Sequence, residues 1–293
     1  MKRPTFLASL AAAVATPPPE LVDGPAPTFF AQERRGRGRL GVAAIDLHDM
    51  RRIAQRAHER FPMASTFKLP LVMDVLTRVD RGAERLDRPI RFTANEVIAN
   101  SPVIGTKPQG GAFTIAELCD AAISRSDNTA ANLLFRTVGG PAAVTAYLRT
   151  LGDRVTRLDR TEPMLNEAAR GDPRDTTTPD AMANLLARLV RDPVLSPASK
   201  ARLFASLRRT TTGVTRIRAG VATGWTVGDK TGTTNSGGND IAILWPHAGT
   251  PPAAHDRAPI VIAVYFAEVR GTDAERDAAI ADVARSVIKR LRG

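Results

Sequence analysis

The sequence has 293 residues, 43% of them hydrophobic and 24% charged, which suits one large domain or two smaller ones around an apolar core and excludes a disordered or fibrous chain. Its formal net charge is +11, yet aromatic residues make up only 5%, the arginines are scattered over helix-like segments, and no basic run alternates with aromatics for base stacking. Nucleic acid is therefore not expected as a partner, and the charge is assigned to solubility and to the attraction of small anions. The single cysteine, Cys119, excludes an intramolecular disulfide and a cysteine zinc cluster, and it sits in an apolar helical pattern that marks a buried thiol. His48, His58, His247 and His255 show no ligand spacing, so neither a metal nor another cofactor is expected.

Taken from the start, Met1-Lys2-Arg3, the apolar stretch from Phe6 to Val14, Ala13-Val14-Ala15 and the prolines Pro17 to Pro19 read as a secretory signal peptide over residues 1–15. The stretch is too short to span a membrane, no cysteine follows it to carry a lipid, and no later stretch is apolar for long enough to span. An exported protein is expected, periplasmic, or secreted if the host has no outer membrane. A proline- and alanine-rich segment follows, then a short helix near residues 27–35, a strand over 39–47 and a hairpin partner over 50–56. Helical periodicity covers 67–79, 115–124, 130–137, 141–151, 179–190 and 197–206, with Pro141, Pro179 and Pro197 at first-turn positions. Strand character returns in 223–230, 240–245 and 260–266, and an amphipathic helix over 272–291 closes the chain.

Strands at both ends of a helical middle predict an α/β fold of the α+β type. An antiparallel sheet domain with flanking helices would be built from residues 24–60 and 213–293, beside an all-helical domain of residues 61–212 that includes a loop at 160–175. The cleft between the two is the expected site.

Four segments carry candidate chemistry. In Arg60-Phe61-Pro62-Met63-Ala64-Ser65-Thr66-Phe67-Lys68, a helix beginning near Ser65 puts Lys68 one turn further on the same face, where an amine can take the proton of a hydroxyl nucleophile. Alone, such a pair is far more often an N-cap followed by a solvated lysine. Ser126-Asp127-Asn128 lies between two helices and alone would be a helix cap. Asp229-Lys230-Thr231-Gly232-Thr233 stands at the end of a strand, where a charged turn would look the same. Arg160-Thr161-Glu162-Pro163-Met164-Leu165-Asn166 opens a proline- and charge-rich segment that would pass for a surface loop.

In this order, Ser-x-x-Lys, Ser-Asp-Asn and Lys-Thr-Gly form the motif set of penicillin-recognising serine enzymes, and from about Leu40 onward the chain resembles a class A serine β-lactamase. The likeness extends to Arg60-Phe61-Pro62, Asn128-Thr129-Ala130-Ala131-Asn132, residues 171–179 and Asn239-Asp240. It implies a monomer acting on a small β-lactam, with Ser65 as the nucleophile, Lys68 in its proton network and Glu162 as the general base for a water also held by Asn166. Ser126 would pass a proton to the departing lactam nitrogen, and Asn128 would bond the substrate's acylamide. Lys230 and Thr231 would hold its carboxylate, backbone N–H groups of Ser65 and Thr233 would bind the oxyanion, and Arg216 would supply the carboxylate-binding arginine. The likeness leaves open whether Lys68 or Glu162 takes the serine proton.

It also implies an Arg160–Asp175 ion pair closing the loop, with Glu162-Pro163 a candidate cis bond. The chain departs from the family pattern at Asn100, where many members have an aromatic wall, at Thr233-Thr234 in place of a small residue and glycine, and at Ala64 and Thr234, where a carbapenem-hydrolysing subgroup has a disulfide. Penicillins are the first expected substrates, cephalosporins the next and carbapenems the last. The rival reading is a penicillin-binding DD-peptidase acting on peptidoglycan peptides, which shares the three motifs but not a deacylating base.

Overall fold

A computed structural model describes residues 29–247 and 258–292. The predicted signal peptide, His255 and most of the proline-rich segment lie outside the described residues. The elements in order are α1 (Phe30–Gly36), β1 (Arg39–Asp46), β2 (Arg52–Gln55), β3 (Phe61–Pro62), a 3-10 turn at Ala64–Phe67, α2 (Lys68–Asp80), β4 (Pro89–Thr93), β5 (Gly110–Thr114), α3 (Ile115–Ser124), α4 (Asn128–Val138) and α5 (Pro141–Thr150). Then come β6 (Thr176–Thr177), α6 (Pro179–Arg191), α7 (Pro197–Arg208), α8 (Ile217–Gly220), β7 (Trp225–Thr234), β8 (Gly237–Pro246), β9 (Ile260–Ala267) and α9 (Asp273–Arg292).

Strands from both chain ends form one antiparallel sheet in the order β2-β1-β9-β8-β7, as the strand pattern led us to expect. The reason is visible in β9. Val261, Ala263 and Tyr265 point into one apolar core with Phe61, Phe67 and the helices between α2 and α7, while Ile260, Ile262, Val264 and Phe266 point into a second core with Ile280, Val283 and Val287 of α9. A central strand with both faces covered must read as a continuous apolar run. Each large side chain so buried contributes roughly 1.5–3 kcal/mol.

The helix starts follow local chemistry. Thr114 and Glu117 form a reciprocal capping box on α3, Asp127 caps α4 through the Ala130 N–H, and Thr178 and Ser196 cap α6 and α7 just ahead of Pro179 and Pro197. Gly139, at φ 98°, ends α4 in the left-handed conformation that glycine adopts without strain.

Three expectations shift. Residues 61–212, expected to be all helical, also carry the β4–β5 hairpin, in which Ile90 pairs with Phe113 and buried Ile90 and Phe92 alternate with exposed residues, a period of two that favours strands. The Lys230 motif does not end its strand. β7 runs on to Thr234 and pairs with β8 as far as Thr234 and Gly237, because the turn between them is tight. Ser65 lies in the 3-10 turn, and the α-helix begins at Lys68. The two-residue strands β3 and β6 had no signal of their own. They pair Phe61 with Thr177 and Pro62 with Thr176, and the Met63 N–H donates to the Asp175 carbonyl at 3.0 Å, tying the approach to Ser65 to the end of the Glu162 loop.

Candidate active site

Ser65 leaves a backbone held in an unusual shape. Ala64, just before it, has φ 44°, a region that costs a residue with a Cβ about 1–2 kcal/mol. The turn is held from outside: Asn239 on β8 donates its amide to the Pro62 and Met63 carbonyls at 2.8 and 3.0 Å. β7, the edge strand of the sheet, comes close on the other side, and a methyl placed on Gly232 would lie 2.7 Å from the Met63 carbonyl oxygen and 3.2 Å from the Ser65 nitrogen. Both are backbone atoms, so only glycine permits this approach.

Lys68 is fully buried and is the hub of the cluster. Its Nζ is 3.0 Å from Ser65 Oγ, 2.8 Å from the Ser126 carbonyl, 2.6 Å from Asn128 Oδ1 and 3.2 Å from Glu162 Oε1. Burial pushes its ammonium below the usual lysine range, and the neighbouring Glu162 carboxylate works against that shift. Ser65 Oγ is also 3.5 Å from Glu162 Oε1, so the serine hydroxyl has an amine at hydrogen-bond distance and a carboxylate just beyond it.

Glu162 is buried, and its loop is built to hold it. Asn132 of α4 brackets its backbone, donating to the Glu162 carbonyl at 2.9 Å and accepting its N–H at 3.0 Å. Asn166 donates to Glu162 Oε2 at 2.6 Å, while Asn166 Oδ1 is a buried acceptor without a donor among the described residues. Arg160 and Asp175 close the loop through Nε to Oδ2 at 2.6 Å, and Asp175 Oδ1 accepts the N–H groups of Asp159 and Arg160. The Glu162–Pro163 bond is cis.

Across the cleft, Ser126, at φ 55°, places its Oγ 2.9 Å from Lys230 Nζ, and Lys230 also donates to the Thr231 carbonyl at 2.8 Å. Burial, and then the positive charge of Lys68, hold Lys230 well below the ordinary lysine range. Side chains alternate along β7, so Asp229 faces the opposite side of the sheet. There burial raises Asp229 and Asp240 above the usual carboxylate range, with Arg218 on Asp229 and the Ile217 N–H on Asp240.

A cleft of about 750 Å³ opens over these groups. Ser65, Ser126, Asn128, Asn166, Thr231 and Thr233 line it, whereas Lys68, Glu162 and Lys230 lie buried beneath. Arg216 does not line the cleft. It lies behind β7, only 5% exposed, donating from Nε to Asp277 at 2.9 Å, from Nη1 to the Gly232 and Asn239 carbonyls, and from Nη2 to Thr233 Oγ1 at 2.9 Å. Its guanidinium thus meets the cleft through Thr233. Cys119 is buried as expected, and desolvation pushes its thiol up to about 12.

Sequence reasoning gave no role to Asn132, Asn239, Thr212 or Arg125. Thr212 shares a hydrogen bond of 2.6 Å with Thr231, and Arg125 lines the cleft. Asn132 stood four residues after Asn128, on the same helical face, and that spacing was the one available signal.

Comparison with known proteins places this constellation in context. A model described as the β-lactamase enzyme family matches residues 29–291. The chain is 48% identical over 225 residues to β-lactamase L2 of Stenotrophomonas maltophilia, covering 76% of this chain and 74% of that protein. It is 44% identical to β-lactamase FAR-1 of Nocardia farcinica, over 90% of this chain and 82% of the relative. A solved class A β-lactamase, the last common ancestor of Gram-negative bacteria, superposes with a TM-score of 0.85 at 51% identity, covering 90% of this chain and 98% of that one.

Proposed function

From the finding that the chain belongs to the class A serine β-lactamases, and so hydrolyses the β-lactam amide through a serine acyl-enzyme, we propose how its residues divide the work. The observation that carries the proposal is Glu162, buried and held by Asn166 with its other oxygen 3.5 Å from Ser65 Oγ. A carboxylate fixed there can activate a water against the ester that Ser65 forms.

Lys68, neutral, takes the Ser65 proton as the hydroxyl attacks the lactam carbonyl. The 3.0 Å contact gives a direct path, and burial favours the neutral amine. Backbone N–H groups of Ser65 and Thr233 receive the oxyanion, supported by the partial positive charge at the helix start. Ser126, in contact with both Lys68 and Lys230, carries the proton to the lactam nitrogen as the C–N bond breaks. Glu162 then removes a proton from a water that adds to the acyl carbon, and Asn166 Oδ1 is free to accept that water's other hydrogen. Collapse of the second tetrahedral adduct expels Ser65 Oγ, which is reprotonated from the same network.

Asn128 orients the acylamide, and Lys230 with Thr231 and Thr233 takes the ring carboxylate, with Arg216 acting through Thr233. Penicillins and cephalosporins are the proposed substrates, and the proposed working form is an exported monomer, periplasmic, or secreted where no outer membrane exists. A steady-state panel on protein lacking residues 1–15 tests the substrate proposal. Penicillin and cephalosporin turnover above that of a carbapenem is expected, and carbapenem hydrolysis at the penicillin rate contradicts it.

Two further outcomes follow. Gly232→Ala has to push β7 off the Ser65 turn, and because a misplacement near 1 Å costs on the order of 10²-fold in rate, kcat/KM should fall by about that much. Wild-type kinetics in this variant would show that the close approach is unimportant. Lys230 has to be charged to attract a carboxylate, and its pKa is lowered, so the charge is present below that lowered value and lost as pH rises through it. The alkaline limb of kcat/KM should therefore begin below the ordinary lysine value of about 10.4. Lys230→Arg should carry that limb upward, and an unmoved limb would assign it to another group.

A further inference from the structure

Among the described residues that line the cleft, Arg125 is the one charged residue. The charged groups of the catalytic cluster, Lys68, Glu162 and Lys230, are all buried beneath the wall. Arg125 is exposed, and its guanidinium has no hydrogen bond or ion pair with any described residue. Its backbone is nonetheless fixed. Its N–H donates to the Ala121 carbonyl as the C-cap of α3, the Ser124 carbonyl accepts the Thr211 N–H at 3.2 Å, and the Ser126 carbonyl is held by Lys68. A guanidinium on a fixed base, in the wall of an anion-binding cleft and without a partner, is available for a ligand.

Its place says which part of the ligand. The segment beside it, residues 211–212, reaches Thr231 through the 2.6 Å Thr212 contact, so Arg125 stands with Ser126 and Thr231 at the end where the ring carboxylate is held, away from the Asn128 and Asn166 end that takes the acylamide. Beyond the lactam nitrogen, on that side, projects the substituent of the fused ring. We propose that Arg125 is a specificity-determining residue that recognises a second anionic group, a carboxylate or sulfonate, carried on the ring substituent of the β-lactam. The inference rests on the substrate orientation proposed above.

Arg125 binds this group as an exposed partner, through charge-assisted hydrogen bonds partly screened by solvent. It discriminates between substrates and takes no part in bond making.

The test compares two cephalosporins with the same acylamide, one with a neutral and one with a carboxylate-bearing ring substituent, in wild type, Arg125→Gln and Arg125→Lys. The readout is the ratio of kcat/KM for the two substrates, which losses of folded or active protein leave unaltered. Wild type should prefer the dianionic substrate by about tenfold at low salt, Arg125→Gln should abolish the preference through KM, Arg125→Lys should keep part of it, and added salt should reduce it. A ratio that is the same in wild type and Arg125→Gln overturns the inference while leaving the enzyme's activity intact. Hydrolysis of neither substrate would instead overturn the activity on which it rests.

Discussion

Replacing Glu162 by alanine is expected to convert a turnover enzyme into one that stops at the ester. Acylation should persist, because Ser65 keeps its direct 3.0 Å contact with Lys68, and Lys68 keeps Ser126 and Asn128 as hydrogen-bond acceptors. Deacylation should fall by about 10²–10⁴-fold, the usual contribution of a positioned general base. Mass spectrometry of the variant mixed with a penicillin should then show the whole population carrying one substrate mass on Ser65. Glu162→Gln offers the same test with the shape of the site retained. Unchanged steady-state turnover in either variant would remove Glu162 from the deacylation step.

Lys68→Ala should fail earlier in the reaction. With the amine gone, the nearest base to Ser65 Oγ is Glu162 Oε1 at 3.5 Å, beyond a direct hydrogen bond of good geometry. Acylation should fall by about 10²–10⁴-fold, and no acyl-enzyme should accumulate. The variant should also be less stable, because it takes a hydrogen-bond partner away from the buried Glu162 carboxylate, a loss that costs about 1–3 kcal/mol where no other group compensates. Asn166 still donates to Glu162, so the cost should lie at or below the lower end of that range. Near wild-type acylation in Lys68→Ala would assign the serine proton to Glu162 acting through a water, and the two variants together therefore decide a question that sequence likeness leaves open.

How much of this was legible in the sequence depended on the range of the signal. Strands such as β9 could be read because a strand covered on both faces is an unbroken apolar run, and α3, α6 and α7 could be read because caps, prolines and periodicity lie within a few residues of one another. The four motif segments were read from their order along the chain. What escaped is set by contacts between distant residues. Asn239 holds the Ser65 turn from across the fold, Asn132 brackets Glu162 from another helix, and β3 meets β6 over two residues only. Of these, only Asn132 had a local hint, its place four residues after Asn128.

Arg216 shows the same limit from the other side. The likeness to the family assigned it, by its position in the chain, to the substrate carboxylate, but the guanidinium is drawn behind β7 by Asp277 on α9 and by two carbonyls of the β7–β8 ladder. Spacing cannot reveal which face of a strand an arginine approaches when its acid partner comes from the last helix. The left-handed backbone at Ala64 and Ser126 was equally hidden, since neither residue type announces a positive φ.

The central claim is that Ser65 forms an ester which Glu162 clears. Its most direct measurement mixes the protein lacking residues 1–15 with a chromogenic cephalosporin in large excess and follows product release and the Ser65 adduct together in time. The expected result is product released in many equivalents per enzyme, with the adduct present only transiently. One equivalent of product followed by a lasting adduct on Ser65 would contradict the account and favour a penicillin-binding DD-peptidase.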